Sequence, residues 1–353
     1  MKRIILFAAA GLMGLAACTQ LDGPQNLTGE GALLISVNSG AGIDTKAADV
    51  NPAGKDADLH DIQLFLFSSD GSLYRREALS GTETSRTLDR VKTGSYDIVA
   101  VANAPALTQI QTKAALEQET ITLDLNQVDQ GFLMAGQTAS SVTVTGGATS
   151  PARAEITVRR HVGRVRLTSV ENAIPLAYGE LKVECAFLEN GLGSWNYAGN
   201  GDPSSYVNYA GRKKGKNTSA DAADFIARAA DADCEQLTFK ALGRSVANGG
   251  TESFDVPFYT FPNRQTASGD HFDGATSEAA CARLVLKASY GSGQSWYYPV
   301  TIENLERNKS YDVSFIIHGP GSTDPNKKVE SGSLEVVIRV DPWGAGGEFT
   351  GEF

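Results

Sequence analysis

The sequence predicts an all-β protein, built as two tandem β-sandwiches with a few short helices. Three observations predict it: short apolar runs alternate with polar residues at period two, turn-rich clusters of Gly, Pro, Asn, Asp and Ser separate them, and regular strand-helix alternation is missing. At 353 residues the chain is long enough to bury two separate cores.

Residues 1–17 carry Lys2-Arg3, an apolar run from Ile4 to Met13 that is too short to span a bilayer, and Leu15-Ala16-Ala17 directly before Cys18. This is the pattern of a bacterial lipoprotein signal peptide. Small residues fit a narrow peptidase site, and the Cys18 thiol takes the lipid before becoming the new N-terminus. The competing reading is a plain export signal that Cys18 happens to follow. No other stretch reaches 18 consecutive apolar residues, so one lipid is the expected membrane attachment.

The next segment, 18–46, holds a strand over residues 31–38, where Leu33, Ile35 and Val37 alternate with Leu34, Ser36 and Asn38. A polar, Gly- and Ala-rich loop over 39–58 follows and contains Thr45-Lys46-Ala47. A first sandwich is expected over 47–150. Its strands are Ile62-Gln63-Leu64-Phe65-Leu66-Phe67, which runs into the turn Ser68-Ser69-Asp70-Gly71 and returns at Ser72-Leu73-Tyr74, and then residues 94–103. Leu107, Ile110 and Leu116 among Ala, Gln and Lys predict a short amphipathic helix over 105–118. Strands resume over 120–125 and 141–145, and Gly146-Gly147-Ala148-Thr149-Ser150-Pro151 is the expected domain boundary.

A second sandwich is expected over 151–331, opening with one long alternating strand over 154–169 that contains Val158, Val162, Val165 and Leu167. A strand over 181–187 follows. Residues 199–219 read as a loop with basic Arg212-Lys213-Lys214, and the Ala-rich stretch 220–230 as a short helix. Strands over 282–290, 296–302 and 311–318 close the domain. The last segment, 332–353, begins with a strand over 332–340 that has Leu334, Val336, Ile338 and Val340 on one face and Glu335, Val337 and Arg339 on the other. Beyond it, Phe349 and Phe353 share a face with Gly351 between them.

Composition excludes several functions. The formal net charge of -10 falls to -12 when Lys2 and Arg3 leave with the signal peptide, so nucleic acid is not an expected partner. Cys185, Cys234 and Cys281 are far apart and odd in number, which implies no disulfide framework; one bridge or buried free thiols both remain open. His60, His161, His271 and His318 are isolated, and no metal-ligand spacing occurs. Neither a Gly-x-Ser-x-Gly elbow nor a phosphate-binding Gly-Lys loop is present. Glu303 and Glu306 read as a solvated turn. No enzyme activity and no cofactor is expected.

The functional argument starts from the two ends. Exposed loops such as the one around Lys46 are preferred protease sites. Cutting between Lys46 and Ala47 would release the first strand and leave a groove with unpaired backbone donors and acceptors. Three apolar side chains at about 1.5 to 3 kcal/mol each amount to roughly 5 to 9 kcal/mol of burial that another strand could supply. The strand at 332–340 offers a similar apolar face, and head-to-tail strand addition that does not close builds a filament. The competing reading is an ordinary strand paired within its own domain.

Over about the last 60 residues the chain resembles the fimbrillin-type subunits of the type V pili of Bacteroidales. The resemblance rests on Trp296-Tyr297-Tyr298-Pro299-Val300, Leu305-Glu306-Arg307-Asn308-Lys309-Ser310-Tyr311-Asp312-Val313, Gly319-Pro320-Gly321 and the run from Leu334 to Trp343. The lipobox, the first strand and Phe65-Leu66-Phe67 are similar to that family's N-terminal domain, whereas residues 191–277 carry little of the pattern. The resemblance implies transthyretin-like sandwiches and an outer-membrane lipoprotein precursor, trimmed by a trypsin-like protease. It also implies a groove filled by residues 334–353 of a neighbouring subunit. The partners would be other pilus subunits, the processing protease and a host or bacterial surface ligand, in a cell-surface fimbrium serving adhesion or biofilm formation.

The family pattern has arginine at the cut, and this loop offers Lys46. The basic pairs Arg75-Arg76 and Arg159-Arg160 lie near or inside strands, where a protease has poor access. An uncut chain would be an anchor or accessory subunit that keeps its lipid. A further alternative is a monomeric surface lipoprotein that binds glycan or host protein through Trp195, Tyr197 and Tyr206.

Overall fold

Burial alternates along residues 30–39 and 152–160, whereas residues 98–102 and 282–286 are buried on both faces. The computed structural model describes residues 29–39, 58–80, 83–126, 131–200, 206–207, 235–264, 281–291, 293–323, 325, 329–330 and 332–343. In chain order the strands are β1 (Glu30–Ser39), β2 (Ile62–Ser68), β3 (Leu73–Leu79), β4 (Ser85–Lys92), β5 (Gly94–Ala102), β6 (Thr120–Thr122), β7 (Met134–Gln137), β8 (Val142–Val144), β9 (Ala152–Arg160) and β10 (Gly163–Asn172). They continue as β11 (Leu181–Glu189), β12 (Gly191–Leu192), β13 (Ser194–Asn196), β14 (Tyr206–Val207), β15 (Phe239–Val246), β16 (Thr251–Thr260), β17 (Ala282–Tyr290), β18 (Gln294–Ile302), β19 (Lys309–Ile317) and β20 (Leu334–Pro342).

The N-terminal strands hydrogen-bond in the order β3-β2-β5-β7-β9-β1-β4, with β8 also on β5. Leu33 and Ile35 of β1, Leu64 and Leu66 of β2, Ile98 of β5 and Ile156 of β9 meet in one core between them. Most of the C-terminal strands form two four-stranded sheets, β16-β10-β19-β20 and β15-β11-β17-β18, while β12 pairs with β14 and β13 with β6. Val165 and Leu167 of β10, Val183 of β11, Leu284 of β17 and Val313 and Phe315 of β19 fill the space between those two sheets. This is the all-β, sandwich-like architecture that the alternation predicts.

A third cluster joins the two halves. Ile121, Leu123, Phe132 and Leu133 from the N-terminal side pack with Leu192, Trp195, Tyr259, Phe261 and Trp343 from the C-terminal side.

Several expectations are corrected. The segment 154–169 is two strands, because the chain breaks at His161 and Val162. β9 pairs with β1 and β7, while β10 pairs with β16 and β19. The turn-rich stretch 146–151 therefore links β8 to β9 within the N-terminal sheet, and the chain passes to the C-terminal sheets at His161 and Val162. Apolar alternation continues across the break, which hid it.

The helix expected over 105–118 is only α1 (Lys113–Gln118), since Thr112 caps it by accepting a hydrogen bond from the Ala115 amide at 3.1 Å. Before Thr112 the chain is irregular with a turn at Thr108 and Gln109, and the Leu73 amide donates to the Gln111 carbonyl at 2.8 Å. The strand expected over 120–125 ends at Thr122 and becomes one 3-10 turn, Leu123–Leu125. The helix expected over 220–230 lies outside the described residues. Cys185 is a buried free thiol whose pKa burial pushes up to about 12, and Cys281 is buried as well.

Candidate functional site: the first strand and the C-terminal strand

Alternation at period two sends Leu33, Ile35 and Val37 to one side of β1, and all three are buried in the N-terminal core. β1 is also internal to its sheet. It pairs antiparallel with β4, where Leu34 faces Thr87 and Ser36 faces Ser85. On its other side it pairs parallel with β9 from Leu33 opposite Ala152 to Ser39 opposite Val158. Both backbone edges and one side-chain face of β1 are thus engaged, so its departure would leave a slot between β4 and β9.

β20 has the opposite character. It pairs antiparallel with β19 along its whole length, from Leu334 opposite Ile317 to Pro342 opposite Lys309. Among the described residues no strand pairs with its other edge. Leu334 and Val336 are half-buried against the C-terminal core. Ile338 and Val340 remain 39% and 48% exposed, and Val337 on the other face is 50% exposed. The strand therefore ends the sheet with uncovered β-branched residues, a surface that invites another strand.

The chain after β20 is anchored at the junction between halves. The Trp343 side chain is 1% exposed and lies against Phe132 and Tyr259, at ring-centre distances of 5.4 and 5.5 Å. Arg160, the last residue of β9, places its guanidinium 4.2 Å from the Trp343 ring centre, and Arg164 of β10 lies at 4.9 Å. Arg160 Nη1 donates to the Trp343 carbonyl at 3.1 Å and to Asn308 Oδ1 at 3.2 Å, and the Trp343 amide donates to the Asn308 carbonyl at 3.0 Å. A desolvated cation-ring contact contributes about 2 kcal/mol or more. Sequence reasoning missed this clasp; the only hint was an aromatic residue directly after Pro342 at the end of an alternating strand.

His161 sits in the same region, fully buried, with its ring edge-on to Tyr197 at 5.2 Å. Burial, reinforced by the Arg307 charge, holds its pKa down at about 3, so the imidazole is neutral at physiological pH.

Cys18, Lys46, Ala47, Phe349 and Phe353 lie outside the described residues. The loop-aromatic surface proposed for a glycan is corrected: Trp195 is buried and stacks on Phe261 at 6.2 Å, because β13 pairs with β6 and folds it into the junction. Tyr197 is half-buried beside it, and the Tyr206 side chain is outside the described set. Arg160 is buried, and Arg75 and Arg76 lie within β3, where Arg76 Nη1 donates to the Leu107 carbonyl at 2.8 Å. Among the described residues, no group of three or more His, Cys, Asp or Glu could hold a metal ion, and no helix is long and apolar enough to cross a membrane.

Comparison with known proteins returns a family and a fold. The family model described as fimbrillin-A associated anchor proteins Mfa1 and Mfa2 matches residues 31–345. A candidate cell adhesion protein from Parabacteroides distasonis ATCC 8503 superposes with a TM-score of 0.61 at 16% identity, covering 90% of this chain and 100% of that one. A fimbrilin (fimA) from Porphyromonas gingivalis W83 gives a TM-score of 0.61 at 15% identity, covering 88% and 97%. The C-terminally truncated tip fimbrial protein Mfa3 from Porphyromonas gingivalis gives 0.53 at 14% identity, covering 89% and 100%. No curated protein matches the chain.

Proposed function

The chain belongs to the family of fimbrillin-A associated anchor proteins and is a structural protein of cell-surface fimbriae, and from that premise we propose that it assembles by exchange of β1 for the β20 segment of another copy. In this reading Cys18 carries a lipid to the outer membrane, and a protease cuts between Lys46 and Ala47. β1 leaves with the lipid, and residues 334–353 of a neighbour enter the vacated slot. The N-terminal sandwich runs to Arg160, the C-terminal sandwich begins at Gly163, and 332–353 is the donor segment. Partners are copies of itself or other pilus subunits, the protease, and a host or bacterial surface ligand. No enzymatic step is assigned.

The observation that carries the reading is the contrast between the strands. β1 is enclosed on both edges and precedes every other described strand, so one cut after it frees it. Among the described residues β20 is the last strand, pairs on one edge and carries exposed Val337, Ile338 and Val340. Protein recovered from cells should begin at Ala47 and run as a denaturant-resistant ladder, and deletion of residues 334–353 should keep export but abolish fibres. A lipidated Cys18 on every molecule together with wild-type fibres from the deletion would overturn it.

The family description itself names anchor proteins, which favours a second reading. Here Lys46 stays uncut, Cys18 keeps its lipid and β1 remains in place at the base of a fibre. The N-terminal residue of the recovered protein separates the two.

A further inference from the structure

The slot left by β1 has a closed end, set by Gly31. A Cβ at position 31 would lie 2.6 Å from the Thr145 carbonyl oxygen and 2.9 Å from Val144 Cγ1. The nearer atom is backbone and cannot rotate aside. Any strand that replaces β1 therefore needs glycine at that point, followed at two-residue intervals by side chains that fill the Leu33, Ile35 and Val37 sites.

The C-terminal segment meets this requirement in one alignment. Gly332 precedes Leu334 by two residues, as Gly31 precedes Leu33. Gly31-Ala32-Leu33-Leu34-Ile35-Ser36-Val37 then matches Gly332-Ser333-Leu334-Glu335-Val336-Val337-Ile338. Resting on the strand-exchange reading above, we infer that β20 enters the slot of a second copy in the direction of β1, with Gly332 at position 31. Leu334, Val336 and Ile338 then occupy the sites of Leu33, Ile35 and Val37, and Arg339 takes the exposed position of Asn38.

Other alignments fail on the same geometry. A shift by two residues puts Leu334 at position 31, with its Cβ against the Thr145 carbonyl. Reversing the strand puts Val340 or Pro342 there or, with Gly344 there, puts Pro342 in the Leu33 site of an internal strand, where it cannot donate to the ladder. Leading with Gly347 places Gly351 in the fully buried Ile35 site and leaves it empty. Glycine thus fixes register where the β-branched residues alone would permit sliding.

For a strand running in the direction of β1, register can be read by disulfide trapping in fibres of the full chain. Ser36 faces Ser85 across the β1–β4 pair, so in the inferred register Val337 of the donor faces Ser85 of the acceptor copy. Directly opposed residues on antiparallel strands lie within disulfide reach. Fibres of Ser85→Cys/Val337→Cys should show a reducible covalent ladder. Ser85→Cys paired with Glu335→Cys, Arg339→Cys or Glu352→Cys should link at least tenfold less.

Gly332→Asn gives a second readout. Gly332 has φ +87 before exchange, and Asn tolerates positive φ better than most residues with a side chain. The exported precursor should accumulate normally while fibre yield falls at least tenfold. Dominant linking at 335, 339 or 352, or wild-type fibre yield from Gly332→Asn, overturns the register and leaves strand exchange standing. Fibres without any of these links do the same. If the wild-type chain forms no fibres through its C-terminal segment, both readings fall.

Discussion

Arg160 and Trp343 are 183 positions apart, yet the guanidinium of one covers the ring of the other at 4.2 Å and donates to its carbonyl at 3.1 Å. One residue ends β9 in the N-terminal sheet, and the other follows the edge strand β20 of the C-terminal sheet. The contact therefore ties β20 to the opposite half of the molecule.

Arg160→Ala removes the ring contact and leaves the buried Trp343 carbonyl without that donor, a combined loss of about 2 to 4 kcal/mol. The loss is centred on β20, because Trp343 packs in the junction cluster and β1 in the separate N-terminal core. Hydrogen exchange of the β20 amides should accelerate at least tenfold while that of β1 stays unchanged. Arg160→Lys keeps the charge without the planar fork and should fall between. Unchanged β20 exchange in Arg160→Ala would show that pairing with β19 alone holds the strand.

Within β1 the two faces should respond differently. Ile35 is fully buried, so Ile35→Ala should destabilise the precursor by about 2 to 5 kcal/mol. Ser36, the next residue, points away from the core, and Ser36→Ala should stay within about 0.5 kcal/mol. Urea midpoints measured on the uncut chain decide this. Equal effects at the two positions would contradict the burial alternation on which the slot rests.

Much of this was legible in the sequence where alternation is regular. Leu33, Ile35 and Val37 announce a half-buried strand, and β17 was bounded at Ala282 and Tyr290 from its pattern alone. β4 was invisible for a physical reason. Between Gly31 and Leu33 the partner advances from Val91 to Leu88, a bulge that puts the buried residues Leu88 and Val91 three apart and breaks the period of two. β15 carries a similar shift between its partners Val183 and Cys185. β16 contains Pro257, which reads against a strand and is accommodated because β16 lies at a sheet edge. The clasp was illegible because local pattern says nothing about which arginine meets Trp343 across the junction.

The buried His161 makes acid stability a direct test of the junction. Its pKa is near 3 in the folded chain and about 6.5 when unfolded, so between those values the unfolded chain binds a proton that the folded chain does not. Above pH 6.5 both forms are neutral and the residue adds no pH dependence. As pH falls through the window below 6.5, stability should drop by up to about 1.4 kcal/mol per unit from this residue. Carboxylates held low by hydrogen bonds, such as Asp97 beside Lys113 and Ser141, add their own loss only at lower pH. Two measurements isolate His161. Its imidazole resonances should not titrate between pH 8 and 4.5, and His161→Phe should flatten the stability profile between pH 6.5 and 4.5. An imidazole that titrates near 6.5 in the folded chain would mean that water reaches the junction, and with it the dry environment of the Arg160–Trp343 clasp would be lost.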